Sequence, residues 1–265
     1  MKKGYTIDTV DITVRYFCED FGLDILSDNC HDRYEIVYAI SPLGTCSVEG
    51  SEYALGPRAL LLIPPLSFHA HTLDFGTTPE GYSVSFRRDA LNERVLPMLD
   101  KITSGGENVG RYYSPASVCD ALSDIFRRFD DASVLSDEQR SVFLEMLISE
   151  IVIFLSASEG KSISHTDSDL GARVAKYLNS NIEKSISLDH LATRFFVSKY
   201  HLCRAFKKYS GTSVHSYINQ KRIMYAKQLI ESGETASVAA ERVGFGDYSA
   251  FYRAYIRIVG KSPTK

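Results

Sequence analysis

The sequence predicts a two-domain α+β protein. Its N-terminal part reads as an antiparallel β barrel or sandwich of jelly-roll kind with helices after it. Its C-terminal part reads as an all-α domain of two helix-turn-helix units joined by a long helix. Three observations predict this. Short segments alternate apolar and polar residues between Gly- and Pro-containing breaks up to about residue 88; a helical period takes over from Asp89; and a helix-turn-helix pattern occurs twice near the C-terminus, 49 positions apart.

The alternating segments are 5–17, 22–26, 34–40, 45–48, 59–63, 70–75 and 81–86. Pro42-Leu43-Gly44, Glu49-Gly50, Gly56-Pro57, Pro64-Pro65 and Gly76 separate them and supply turn chemistry. A period of two sends successive side chains to opposite faces of a sheet, so many such strands at short spacing close into a barrel or sandwich. Three helices are expected next, over 90–99, over 115–129 with Pro115 in the first turn, and over 137–157. The last carries Val142, Phe143, Met146, Leu147, Ile151, Phe154 and Leu155 as a broad stripe, wide enough to pack on its own barrel and to meet a second copy. A Ser-rich segment short of apolar residues follows. The expected organisation is therefore 1–157, a linker 158–166, and 167–265.

In the last part, Leu202, Ala205, Phe206 and Tyr209 fall at helical intervals on one side of a segment, and Tyr200, Cys203, Arg204 and Lys207 on the other. Ser198 can cap its N-terminus and Gly211 can take the left-handed conformation that ends it. A shorter helix over Leu188 to Ala192 precedes it closely. Adding 49 converts Ser198 to Asp247, Leu202 to Phe251, Arg204 to Arg253, Ala205 to Ala254, Phe206 to Tyr255, Lys208 to Arg257 and Gly211 to Gly260. Residues 214–231 form one long periodic segment between the copies. Two such units held apart by one rigid helix can reach successive major grooves of a DNA duplex.

Charge is segregated in the same way. Residues 167–265 hold 16 Lys and Arg against 8 Asp and Glu, whereas 1–166 hold 14 against 25. A basic module joined to an acidic one suits a polyanion-binding part beside a part with another task. The longest apolar run, 146–155, is too short to span a membrane and contains Glu150, and the N-terminus has no apolar signal core. Cys18, Cys30, Cys46, Cys119 and Cys203 lack paired spacing, which suits reduced thiols and a cytoplasmic location.

From about Gly171 onward the chain resembles the DNA-binding domain of the AraC/XylS family of bacterial transcription regulators. The resemblance rests on 187–192, 198–208, Tyr217 to Arg222 with Ala226, Val243-Gly244-Phe245, and Gly260-Lys261-Ser262-Pro263. Ala236 and Ala239 stand where the family usually has isoleucines, Ile256 replaces a usual lysine, and Phe196 fills a turn position usually held by a smaller or polar residue. The resemblance implies double-stranded DNA as the partner. It implies Tyr200, Cys203, Arg204, Tyr248, Ser249, Tyr252 and Arg253 as base-reading residues. Ser198, Lys199, Lys207, Lys208, Arg257 and Lys261 are expected at phosphates. Arg204 and Arg253 have a physical warrant besides, because a guanidinium can bond two acceptors of guanine at once. A homodimer is implied, RNA polymerase is a candidate partner, and activation is the commoner mode in the family.

The segment 50–71, with Leu55-Gly56-Pro57, Ala59 to Pro65 and then His69, resembles the second half of a small cupin barrel of the kind that senses effectors in such regulators. Arg33, Tyr34, Tyr38, His69 and His71 are the candidate polar lining for a small-molecule effector. Metal-binding cupins use two histidines, a glutamate and a later histidine. Here Arg33 takes the second place, leaving only His31, Glu35 and His69, so no metal and no cofactor is expected. No nucleophile-base pair or phosphate-cradling glycine loop occurs, and the chain is not expected to be an enzyme. The competing reading is a metal-dependent cupin enzyme with an accessory nucleic-acid-binding module.

Overall fold

A computed structural model describes residues 3–18, 30–74, 76–103, 110–118, 120–158, 160 and 169–263. The chain divides into two compact units, one of 1–29 with 33–164 and one of 30–32 with 165–265.

The first unit is a β sandwich with helices on one side. Its strands are β1 (Tyr5–Asp8), β2 (Ile12–Cys18), β3 (Tyr34–Ala39), β4 (Thr45–Val48), β5 (Ser51–Ala54), β6 (Leu60–Ile63), β7 (His69–Thr72), β8 (Glu80–Phe86) and β9 (Arg111–Tyr113). Antiparallel pairing gives a six-stranded sheet in the order β1-β2-β8-β3-β6-β9 and a three-stranded sheet β5-β4-β7. The larger sheet is covered on both faces. Ile36, Tyr38, Leu60, Leu62, Tyr82, Val84 and Phe86 point to one core, shared with α1 (Leu96–Thr103), α2 (Asp120–Arg128) and α3 (Asp137–Ala157). Their neighbours Val37, Ala39, Leu61 and Ile63 point to a second core that includes Cys46, Val48 and Tyr53 of the smaller sheet.

The expected strands are mostly present, with differences that have physical causes. The segment 5–17 is two strands, because Thr9 turns the chain with its backbone N–H and hydroxyl both donating to the Ile12 carbonyl. Strands β5 and β9 were not anticipated, each being too short to show a period. The expected strand 22–26 lies outside the described residues. The expected helix 90–99 is displaced to Leu96–Thr103, since Pro97 lacks an N–H and is tolerated only in a first turn. Helix α2 begins at Asp120 and not at Pro115, which sits in a separate turn closed by Ser117 N–H to the Ser114 carbonyl. Helix α3 has the expected bounds and a capping box of Ser136 with Gln139. Its buried positions are Leu144, Leu147, Ile148, Ile151, Val152 and Leu155, whereas Val142, Met146 and Ile153 remain exposed. Apolar residues fall on more than one side of this helix, so its period alone did not say which face turns inward.

The second unit contains α4 (Leu170–Asn179), α5 (Leu188–Phe195), α6 (Lys199–Ser210), α7 (Val214–Glu231), α8 (Ala236–Arg242) and α9 (Tyr248–Val259). Tyr217 of α7 is fully buried, stands edge-on to Phe206 of α6 at 5.2 Å, and donates its hydroxyl to Asn179 at the end of α4. Arg222, five residues further along α7, reaches three backbone carbonyls: Ile182 at 2.7 Å, Lys184 at 2.6 Å and Gly244 at 3.0 Å. Burial lowers this guanidinium from its ordinary value. The loop after α4 and the turn after α8 are thereby held to one side chain.

Gly244 has φ +82°, and a Cβ there would lie 2.1 Å from the Glu183 carbonyl oxygen. Gly244→Ala is expected to cost about 3 kcal/mol through strain and displacement of that clamp. Gly246→Ala, where a Cβ meets nothing within 4 Å, is the control expected near zero. Urea denaturation of the full chain checks both.

Candidate nucleic-acid interface

Both expected helix-turn-helix units are present, and each second helix starts on a side-chain cap. The Ser198 hydroxyl accepts from His201 N–H, and α6 ends at Gly211 with φ +73°. The Asp247 carboxylate accepts from Ser249 and Ala250 N–H, and α9 ends at Gly260 with φ +77°. Fixed at both ends, these helices expose what they do not bury. Leu202 and Phe206 are buried in α6, as are Phe251, Ala254 and Tyr255 in α9.

The residues expected to read bases lie on the other side. Tyr200, Cys203 and Arg204 are exposed on α6, and Tyr248, Ser249, Tyr252 and Arg253 on α9. Tyr248 and Tyr252 are tilted ring neighbours at 6.3 Å, one turn apart. Lys207, Lys208, Arg257 and Lys261 are exposed as well. Lys199 is exposed but reaches Asp189 of α5 at 3.0 Å, a solvated pair worth little to stability. Arg257 borders a polar notch with His215 and Asn219 of α7. Ile256, in the place of a usual lysine, leaves 40 % of its surface exposed, and Ala239 and Ala240 of α8 are buried. Phe196, in the first turn, is 95 % exposed with φ +56°, a conformation costly for an aromatic residue.

The five residues expected to line an effector site do not share one surface. Tyr34 stacks on Phe86, while Tyr38 stacks on Phe126 of α2 and donates to Ser123, so both face the helical layer. Arg33 donates to the Val10 carbonyl. His69 and His71 lie between the two sheets. There the Glu35 carboxylate sits 3.2 Å from His69 Nε2 and accepts from Ser83 at 2.6 Å, and Cys46 Sγ is 3.5 Å from His71 Nε2. Glu35 and His69, both weighed as metal ligands, stand 3.2 Å apart. His31 belongs to the segment 30–32 grouped with the other unit. Burial acts to lower the His69 imidazole, but the bond and charge of Glu35 outweigh it and leave the value raised. His71 lacks that bond. Its Nδ1 is buried without a hydrogen-bond partner, and burial pushes the ring down to about 4.

Two capped helices with exposed, partly cationic faces on one scaffold define a DNA-binding protein with tandem helix-turn-helix units. Residues 191–265 match the family model described as a helix-turn-helix domain, and 22–148 match the AraC-like ligand-binding domain. The multiple antibiotic resistance protein MarA of Escherichia coli K12 is 31% identical over 102 residues, 38% of this chain and 80% of MarA. The uncharacterized transcriptional regulator YbfI of Bacillus subtilis is 26% identical over 83% of this chain and 78% of its own. The transcriptional activator RhaS of Klebsiella pneumoniae is 25% identical over 88% and 84%. The chain belongs to the AraC family of transcription regulators and carries its ligand-binding domain ahead of its DNA-binding domain. No helix among the described residues is long and apolar enough to cross a membrane.

The barrel histidines set opposite pH dependences. A depressed His71 must be neutral to stay folded, so stability falls as pH drops from the ordinary imidazole value of about 6.5 toward about 4. His69, being raised, contributes stability below about 6.5 that is lost at higher pH, as the pH passes its folded value. His71→Asn is expected to flatten the acid-side slope, worth about 3 kcal/mol at most, in urea midpoints taken across that range.

Proposed function

We propose that this regulator binds its operator by laying α6 and α9 in neighbouring major grooves. Arg204 and Arg253 then read guanine, with Tyr200, Cys203, Tyr248, Ser249 and Tyr252 as the surrounding base contacts. The observation that carries this reading is the duplicated pair of capped helices whose arginines are both exposed on the face opposite the buried one. Ser198, Lys199, Lys207, Lys208, Arg257 and Lys261 border those faces and serve the phosphates, supplying affinity and salt dependence more than sequence preference. The ligand-binding unit then controls how the reading helices are presented. Val142, Met146 and Ile153, left exposed on α3, support a homodimer through that helix. Among the described residues Cys18, Cys30, Cys46 and Cys203 form no disulfide, which suits action in the cytoplasm.

Selection of bound sequences from a random DNA pool tests the reading. Arg204→Ala is expected to relax preference at one or two base pairs, a loss of about 1–3 kcal/mol of discrimination. Lys207→Ala is expected to weaken all sequences alike and to reduce the salt slope by about one. An unchanged binding profile for the arginine variant overturns the base-reading role.

A further inference from the structure

In the helical unit, His215, Ser216, Asn219 and Gln220 of α7 and Arg257 and Ile258 of α9 line a notch of about 220 Å³. Small-molecule pockets run to roughly 300–1,000 Å³, so this notch suits one compact group and not a metabolite. Arg257 stands four residues beyond Arg253, about one helical turn along α9, which puts the notch beside the face proposed to meet the bases. Helix α7 starts at Val214, shortly after Gly211 ends α6. The notch is therefore built from one reading helix and from the start of the connecting helix that leads out of the other.

Its polar side chains keep donors to spare. Asn219 and Gln220 are half-buried, and each is steadied by a bond to the residue one turn before it. Gln220 Nε2 donates to the Ser216 hydroxyl at 3.3 Å, and Asn219 Nδ2 lies 3.3 Å from His215 Nδ1. An amide has two N–H donors and spends one of them in such a bond, and Ser216, accepting with its oxygen, keeps its own O–H. Arg257, exposed at the other wall, adds up to five N–H donors and a whole positive charge. A group that satisfies these donors brings acceptors and negative charge. A phosphodiester, with two unbridged oxygens sharing one charge, is the compact group of that kind that DNA presents along its whole length.

We propose that this notch clamps one backbone phosphate of the DNA. Arg257 and the Asn219 and Gln220 amides take its two unbridged oxygens, so α7 binds the duplex as well as joining the two helix-turn-helix units. The proposal rests on the reading of α9 as a groove-bound helix and adds to it residues of α7 that this reading leaves unused. A phosphate gripped from two helices fixes the register of α9 on the duplex and carries no sequence information.

Anisotropy titrations of the full chain on a duplex recovered from the random pool, and on an unrelated duplex, test it. Asn219→Asp removes a donor and sets a carboxylate in the notch. It is expected to weaken binding to both duplexes by about tenfold or more, as for one charge-assisted hydrogen bond. Gln220→Leu is expected to weaken both as well, by less, and neither variant should change the selected sequence or shift the thermal midpoint much. Duplexes carrying one neutral methylphosphonate at successive positions then locate the contact. At one position the neutral linkage is expected to weaken the native chain and to cost Asn219→Asp nothing further. Equal affinity of Asn219→Asp and the native chain overturns the proposal, and so does a loss that stays the same whichever linkage is neutral. A loss in Arg257→Met with none in the α7 variants also overturns it and leaves Arg257 as a single phosphate contact. A selected sequence unchanged in Arg204→Ala, with affinity lost in Asn219→Asp, sinks the base-reading role and leaves the clamp standing. A chain that binds neither duplex overturns the DNA reading and the clamp with it.

Discussion

The helical unit depends on one side chain gripping three carbonyl oxygens. Arg222 stands midway along α7 and draws in the loop 182–184 from one side and Gly244 from the other. A planar guanidinium carries its donors in a fixed fork, so the bonds that fasten the two loops also set their separation. Without it, each helix-turn-helix would still bury its stripe, but their spacing would rest on the packing of α7 against its neighbours alone. The proposed reading of two adjacent grooves demands that this spacing be held closely, because the duplex offers its grooves at one repeat.

The ligand-binding unit solves a different problem. Its larger sheet is sealed on both faces, by three helices and by a second sheet, and this makes β3 and β6 buried almost without interruption. Between the sheets Ser83 donates to Glu35, whose carboxylate faces His69 at 3.2 Å, while His71 Nδ1 is buried without a hydrogen-bond partner.

Much of the helical unit was legible in the sequence because its signals are local. Ser198, Asp247, Gly211 and Gly260 mark ends by hydrogen bonding and backbone conformation, and α7 occupies its expected bounds, 214–231. The exposed arginines follow from helical period. The barrel was legible in class but not in detail. Strands β5 and β9 are too short to show alternation, and Pro97 was a start signal inside an otherwise continuous apolar pattern. Tyr34 and Tyr38 read as polar lining, yet alternation along β3 puts them opposite Glu35, and which face was interior could not be settled before the sheet order was known.

Because the Arg222 fork grips main-chain oxygens, it is indifferent to which side chains Ile182 and Lys184 carry. Those positions can drift in charge and size while the frame keeps its dimensions. The loop can then change its surface without altering the distance between the two helix-turn-helix units. Only Gly244, pinned by its lack of a side chain, is denied that freedom.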